Sequence, residues 1–143
     1  MMVSPEKILE KYWGFTSFRT PQKEIITCVL ENKDAIALLP TGGGKSVCFQ
    51  VPALIKEGVC IVISPLIALM QDQVESLKKR DIKAITIPSG SSQNEIVTLF
   101  DAVKFGKVKF LYISPERLQS ALIQQKLKEL NINLVAIDEA HRI

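Results

Sequence analysis

The stretch Pro40-Thr41-Gly42-Gly43-Gly44-Lys45-Ser46 constrains this chain more than any other. It follows a short apolar run, residues 35–39, that reads as a buried strand, and it opens a helical pattern over residues 45–57. A strand running through a glycine turn into a helix aims backbone N–H groups and the positive end of the helix dipole at one point, where an anion would sit. Glycines suit the turn because a side chain would block the anion and because such a turn visits positive φ. Thr41 and Gly42 to Gly44 would cradle a polyphosphate, Lys45 would reach its β- and γ-phosphates, and the Ser46 hydroxyl would be a ligand of Mg²⁺. The pattern departs from G-x-x-x-x-G-K-[ST] at its first position, which is Leu39. The glycines beside the lysine and the strand–turn–helix setting preserve the mechanism. The competing reading is a left-handed glycine turn with a solvated lysine.

Strand and helix alternate along the rest of the chain. Ser4-Pro5 is a helix-start signal and Gly14 ends the helix that follows; Thr20-Pro21 repeats the device, with Ile25, Ile26, Val29 and Leu30 at helical spacing. Further strands are expected over residues 59–63, 84–87, 108–113 and 134–137. Helices are expected over residues 66–80, from a capping box at Ser92 and Glu95 to Gly106, and over 116–130, with Gly58 closing the helix that starts at Lys45. Strands apolar on both faces alternating with helices predict an α/β fold, a mostly parallel sheet covered by helices on each side.

At 143 residues, 47% hydrophobic and 23% charged, the composition is that of one soluble globular domain. A chain of this length buries roughly 68–70% of its unfolded surface and needs no staple. No apolar run approaches the ~20 residues of a membrane helix, and the start lacks a signal-peptide core, so a cytoplasmic location with no membrane partner is expected. Cys28, Cys48 and Cys60 are far apart in apolar stretches, the pattern of buried thiols rather than a zinc or redox motif. The net charge of +3 permits a nucleic-acid partner without implying one.

The second informative stretch is Leu134-Val135-Ala136-Ile137-Asp138-Glu139-Ala140-His141, an apolar strand ending in two carboxylates. Asp138 at the strand's end can hold Mg²⁺, through water because that ion dehydrates reluctantly, while Glu139 can orient and deprotonate an attacking water. A solvated acidic strand end is the alternative. His141, the one histidine in the chain, is read as linking the γ-phosphate site to neighbouring elements, against a purely structural role.

Together these residues resemble the RecQ-type ATP-dependent DNA helicases of helicase superfamily two. The likeness spans nearly the whole chain in five ordered blocks: GFTSFRTPQ from Gly14, LLPTGGGKSVCFQVPAL from Leu38, VISPLIALMQDQV from Val62, LYISPERL from Leu111 and AIDEAH from Ala136. In that family an apolar residue at the Leu39 position is ordinary, whereas Arg142 departs from the more usual cysteine.

The resemblance implies a three-layer P-loop NTPase (RecA-like) domain over residues 1–143, with a second RecA-like domain of the same chain beyond it. It implies ATP and Mg²⁺ as cofactors and single-stranded and duplex DNA as partners. The activity implied is ATP hydrolysis coupled to 3′→5′ translocation and unwinding, in DNA repair and recombination at a bacterial nucleoid. Lys45, Asp138, Glu139 and His141 would carry the chemistry. Gln22 would pair with adenine, its amide matching the N6 and N7 edge, with Phe15 and Arg19 flanking the base; the alternative for Gln22 is a solvated first-turn residue.

Ser64, Pro65, Ser114, Pro115 and Arg117 follow strand ends, where α/β sheets bind ligands. The resemblance gives them contacts to the DNA backbone. Otherwise each Ser-Pro ends a strand and Arg117 pairs with a carboxylate such as Glu116. Because hydrolysis needs positive charge from across the cleft, residues 1–143 alone are expected to bind nucleotide weakly and unwind little or nothing. An RNA helicase or remodeller of the same superfamily, or a non-hydrolysing nucleotide-binding module, are the rival readings.

Overall fold

A computed structural model describes residues 4–19, 22–31 and 45–138. They fall into two compact units, Met1–Glu57 and Gly58–Ile143. The expected strand at 35–39, the Thr20-Pro21 start and residues 40–44 and 139–143 lie outside the described residues.

In the first unit, helix α1 (Pro5–Trp13) starts where the sequence says it should. The Ser4 hydroxyl accepts from the Lys7 N–H, Pro5 occupies the first turn, and Gly14 closes the helix at φ 78°, a conformation that costs a glycine little. Helices α2 (Gln22–Leu30) and α3 (Val47–Ile55) complete the described part. Ile8 and Leu9 of α1, Ile26 of α2, and Val47 and Val51 of α3 form its buried core. Lys23 forms an ion pair with Glu6 on its surface, and that partner holds the Glu6 carboxyl below its ordinary range. Helix α3 is shorter than the 45–57 expected. It ends at Ile55, with Lys56 already extended, so Gly58 stands beyond the helix rather than closing it.

The second unit holds a four-stranded parallel sheet of β1 (Val59–Ile63), β2 (Ala84–Thr86), β3 (Phe110–Ile113) and β4 (Ile132–Ile137), in the order β2-β3-β1-β4. Helix α4 (Ile67–Lys79) leads from β1 to β2, and α5 (Gln93–Phe105) from β2 to β3. Alternation along the strands divides the side chains between two faces. Val59, Ile61, Leu111 and Ile113 pack with Ile96, Phe100 and Val103 of α5 and with Ile123 of α6 (Ala121–Lys128). Phe110 and Tyr112 point the other way, and the Tyr112 hydroxyl reaches Gln73 of α4. Helices thus cover both faces of β3, as the continuous apolar runs of β1 and β3 require.

Two expectations need correction. The single helix expected over 116–130 is a 3₁₀ turn, Pro115–Gln119, followed by α6. Ser120 separates them: it adopts an extended conformation and its hydroxyl accepts from the Ile123 N–H, so it caps a new helix. Strand β4 is not buried throughout. It is one of the two outer strands among the four described, and Val135 and Ile137 are 53% and 57% exposed.

Gly58 is fixed by close approach. Its φ is 106°, and a Cβ there would lie 2.4 Å from the Asn131 carbonyl oxygen. The same carbonyl accepts from the Val59 N–H at 2.9 Å, so glycine lets β1 and β4 start side by side.

Candidate functional site

Asp138 is the best-defined member of the site. It follows β4 directly, and its N–H donates to the Ile63 carbonyl at 2.8 Å, one more rung of the β1–β4 ladder. The sheet therefore sets its backbone, and the residue is only 8% exposed. Its Oδ2 accepts from Gln73 Nε2 at 3.3 Å, and Gln73 Oε1 accepts from the Tyr112 hydroxyl at 2.7 Å. The NH₂ end of the amide thus faces the carboxylate oxygen as donor, and its carbonyl end accepts from the phenol. Gln73 and Tyr112 were not singled out in the sequence. The available signal was a tyrosine inside an apolar strand, whose hydroxyl must find a partner when buried.

The strand ends that carry the Ser-Pro pairs divide into different roles. Ser64 is buried; its N–H donates to Ile113 O at 3.1 Å and its hydroxyl accepts from the Leu66 N–H at 3.3 Å, just before α4. Pro65 and Pro115 are half-buried. Ser114 and Arg117 line a hollow with Ile67 and Gln71 of α4 and with Pro88 and Ser89 after β2. Its cavity volume of ≈ 60 Å³ is far below the roughly 300 Å³ at which small-molecule pockets begin; a group the size of a phosphate fits, a nucleotide does not. Arg117 does not turn to Glu116 there. Its Nη2 donates to the Pro88 carbonyl at 2.6 Å, tying the loops after β2 and β3 together.

In the first unit, Lys45 and Ser46 are half-buried and lead directly into α3. Ser46 makes no side-chain capping bond, although its carbonyl accepts from the N–H groups of Phe49 and Gln50. Its hydroxyl is thus not used in starting the helix. Phe15 is 61% exposed, Arg19 is exposed and Gln22 half-buried. Gln22 Oε1 accepts from the Arg19 N–H at 2.8 Å while the Gln22 N–H donates to Arg19 O. This reciprocal pair fixes the turn before α2. Thr41, Gly42, Gly43, Gly44, Glu139 and His141 lie outside the described residues.

A carboxylate and a hydroxyl are hard oxygen donors of the kind Mg²⁺ takes, alongside phosphate oxygens, and Asp138 and Ser46 each carry one such group. Among the described residues no three His, Cys, Asp or Glu side chains gather. Cys48 and Cys60 are buried free thiols and Cys28 is half-buried. Burial pushes the Cys60 thiol up to about 12, which keeps it protonated and inert. Among the described residues no helix is long and apolar enough to cross a membrane.

Comparison with known proteins bears on this geometry. The model of the family described as DEAD/DEAH box helicase matches residues 19–143. The chain belongs to the DEAD/DEAH box helicase family. Within this helicase family it is 43% identical over 140 residues to the ATP-dependent DNA helicase RecQ of Synechocystis sp., covering 96% of this chain and 29% of that protein. It is 46% identical over 144 residues to RecQ of Bacillus subtilis, covering 100% of this chain and 24% of that protein. The chain thus spans between a fifth and a third of the length of these curated relatives. The crystal structure of the DUF1998 helicase MrfA bound to DNA and AMPPNP superposes with a TM-score of 0.78 at 24% identity, over 99% of this chain and 21% of that one. The parallel α/β fold is therefore one that helicases share, consistent with a RecA-like domain.

Proposed function

We propose that this helicase-family chain is the ATP-binding motor module of a RecQ-like DNA helicase, coupling ATP hydrolysis to 3′→5′ movement along single-stranded DNA and to unwinding. The observation that carries the reading is Asp138, a buried carboxylate fixed at a strand end by the Ile63 carbonyl and turned by Gln73. Whole-chain identity above 40% to proteins named RecQ supports the same reading.

In this reading Gln22 selects adenine, with Phe15 and Arg19 against the base. The N–H groups of Thr41 to Gly44 and the ammonium of Lys45 hold the triphosphate. Ser46 and Asp138 would hold Mg²⁺, which when bound neutralises charge developing on the β- and γ-phosphates. Glu139 takes the proton of the attacking water, and His141 links that event to neighbouring segments. Ser64, Pro65, Ser114, Pro115 and Arg117 form the DNA side; the hollow beside Ser114 and Arg117, with hydroxyls and one guanidinium, suits phosphates without reading bases. A second RecA-like domain of the same protein supplies the positive charge that completes the cleft. A cytoplasmic protein acting at the nucleoid, in repair and recombination, fits this activity.

The test uses the full-length protein. Lys45→Ala should abolish ATP-dependent unwinding, and Glu139→Gln should keep ATP bound but stop its hydrolysis. Normal turnover in both variants would overturn the reading.

A further inference from the structure

Helix α4 joins two places that the proposed function keeps separate. Its first two turns line the phosphate-sized hollow through Ile67, Met70 and Gln71, and Gln73 of the same helix bonds to Asp138. From Ile67 to Gln73 the rise is about 9 Å along one rigid helix.

We infer that Gln73 is a positioning residue that relays occupation of the hollow by a DNA backbone phosphate to the Asp138 carboxylate. The inference rests on the proposed reading of Asp138 as a metal carboxylate and adds the link between the two ligands. The two bonds of the amide differ in a telling way. The Tyr112 bond, at 2.7 Å, has the ordinary O–H···O length, whereas the Asp138 bond, at 3.3 Å, lies just past the ordinary N–H···O range of about 2.7–3.2 Å. Tyr112 is 1% exposed and sits in the interior of β3, so the phenol end of the amide is anchored while the carboxylate end has room to tighten. The anchor also belongs to the DNA side, because Tyr112 lines the hollow and stands two residues before Ser114. A phosphate drawn toward Arg117 and Ser114 presses on α4 and shifts Gln73 against Asp138. The carboxylate is then held in the orientation that the cation requires.

The test uses the full-length protein and a fluorescent, non-hydrolysable ATP analogue, titrated with Mg²⁺ or with EDTA, each with and without oligo-dT. Both informative substitutions preserve packing: Tyr112→Phe removes one oxygen, and Gln73→Met keeps the side-chain volume. In the native protein, oligo-dT should increase the Mg²⁺-dependent part of nucleotide affinity. Gln73→Met and Tyr112→Phe should each lose about tenfold of that increase, the size expected when the partner of a ligating carboxylate is removed. For Gln73→Met, whose side chain does not line the hollow, nucleotide affinity in EDTA and oligo-dT affinity without nucleotide should stay as in the native protein, which a merely structural defect would not allow. If Asp138→Asn loses the Mg²⁺ effect while Gln73→Met keeps the whole oligo-dT effect, the relay is wrong and the metal reading stands. If Asp138→Asn keeps the Mg²⁺ effect, the metal reading falls and the relay with it. An oligo-dT effect absent from the native protein also overturns the relay.

Discussion

The N–H of Asp138 and the carbonyl of Ile63 meet at 2.8 Å, so the acidic residue is held by the last rung of a parallel ladder before its side chain does anything. Backbone placement and side-chain chemistry are therefore separable. Asp138→Asn should leave the unfolding midpoint close to that of the native protein and act on nucleotide handling alone. Thermal unfolding followed by circular dichroism checks this, and a large fall would mean that the carboxylate also supports the fold.

Gly58→Ala should be costly. The added methyl meets the Asn131 carbonyl oxygen at 2.4 Å, and the φ of 106° is one that alanine rarely adopts. Backbone strain of this kind costs about 1–3 kcal/mol, and the collision with fixed backbone adds to it. Urea denaturation of the native and variant proteins measures the loss.

Leu111→Ala tests the core on the α5 side of the sheet. Leu111 is fully buried and packs in the cluster that joins β1, β3, α5 and α6. A buried Leu→Ala change removes about 2–5 kcal/mol, more where the cavity cannot collapse. The central position between two strands and two helices points to the upper half of that range.

The start of α5 should be visible in an acid titration. The Ser92 backbone N–H first, and the Ser92 side chain second, hold the Glu95 carboxyl below its ordinary value. A folded value below the unfolded one means that the contribution is full above the unfolded value, near ~4.3. It is then lost as the pH falls through the folded value. Glu95→Gln should therefore narrow the stability gap to the native protein as the pH drops below about 4. A gap that is constant with pH would show that the carboxylate's charge is not what the cap uses.

Thiol labelling separates the cysteines. Cys60, buried and pushed up to about 12, should resist iodoacetamide at pH 8 until the protein unfolds. Cys48 is also buried and its thiol also raised by burial, so it should label slowly. Half-buried Cys28 should label first. Mass spectrometry of the labelled peptides gives the order.

Much of the fold was legible because its signals are local. Ser4-Pro5 with Gly14, and Ser92 with Glu95, satisfy helix ends within a few residues, and both act as their sequence implied. The apolar runs of β1 and β3 forecast strands covered on two sides. The break at Ser120 was missed because the apolar spacing of residues 116–130 continues across it, while the interruption is a conformational choice by one capping serine. Strand β4 was legible as a strand but not in its exposure, which depends on its position in the sheet order. In the candidate site, Asp138 could be named from a strand ending in acids. Gln73 and Tyr112 could not, since their bonds join residues 65 and 39 positions apart. The bond between Arg117 and the Pro88 carbonyl, 29 positions away, is hidden for the same reason.

The proposed function requires that Gly42 to Gly44, Lys45, Ser46 and Asp138 all serve one ATP–Mg²⁺ complex. A crystal structure of the full-length protein with AMPPNP and Mg²⁺ tests it most directly. The β- and γ-phosphates should lie against the N–H groups of Gly42 to Gly44 and the Lys45 ammonium, with the cation beside Ser46 and Asp138. Phosphates bound elsewhere, or a cation remote from Asp138, would contradict it.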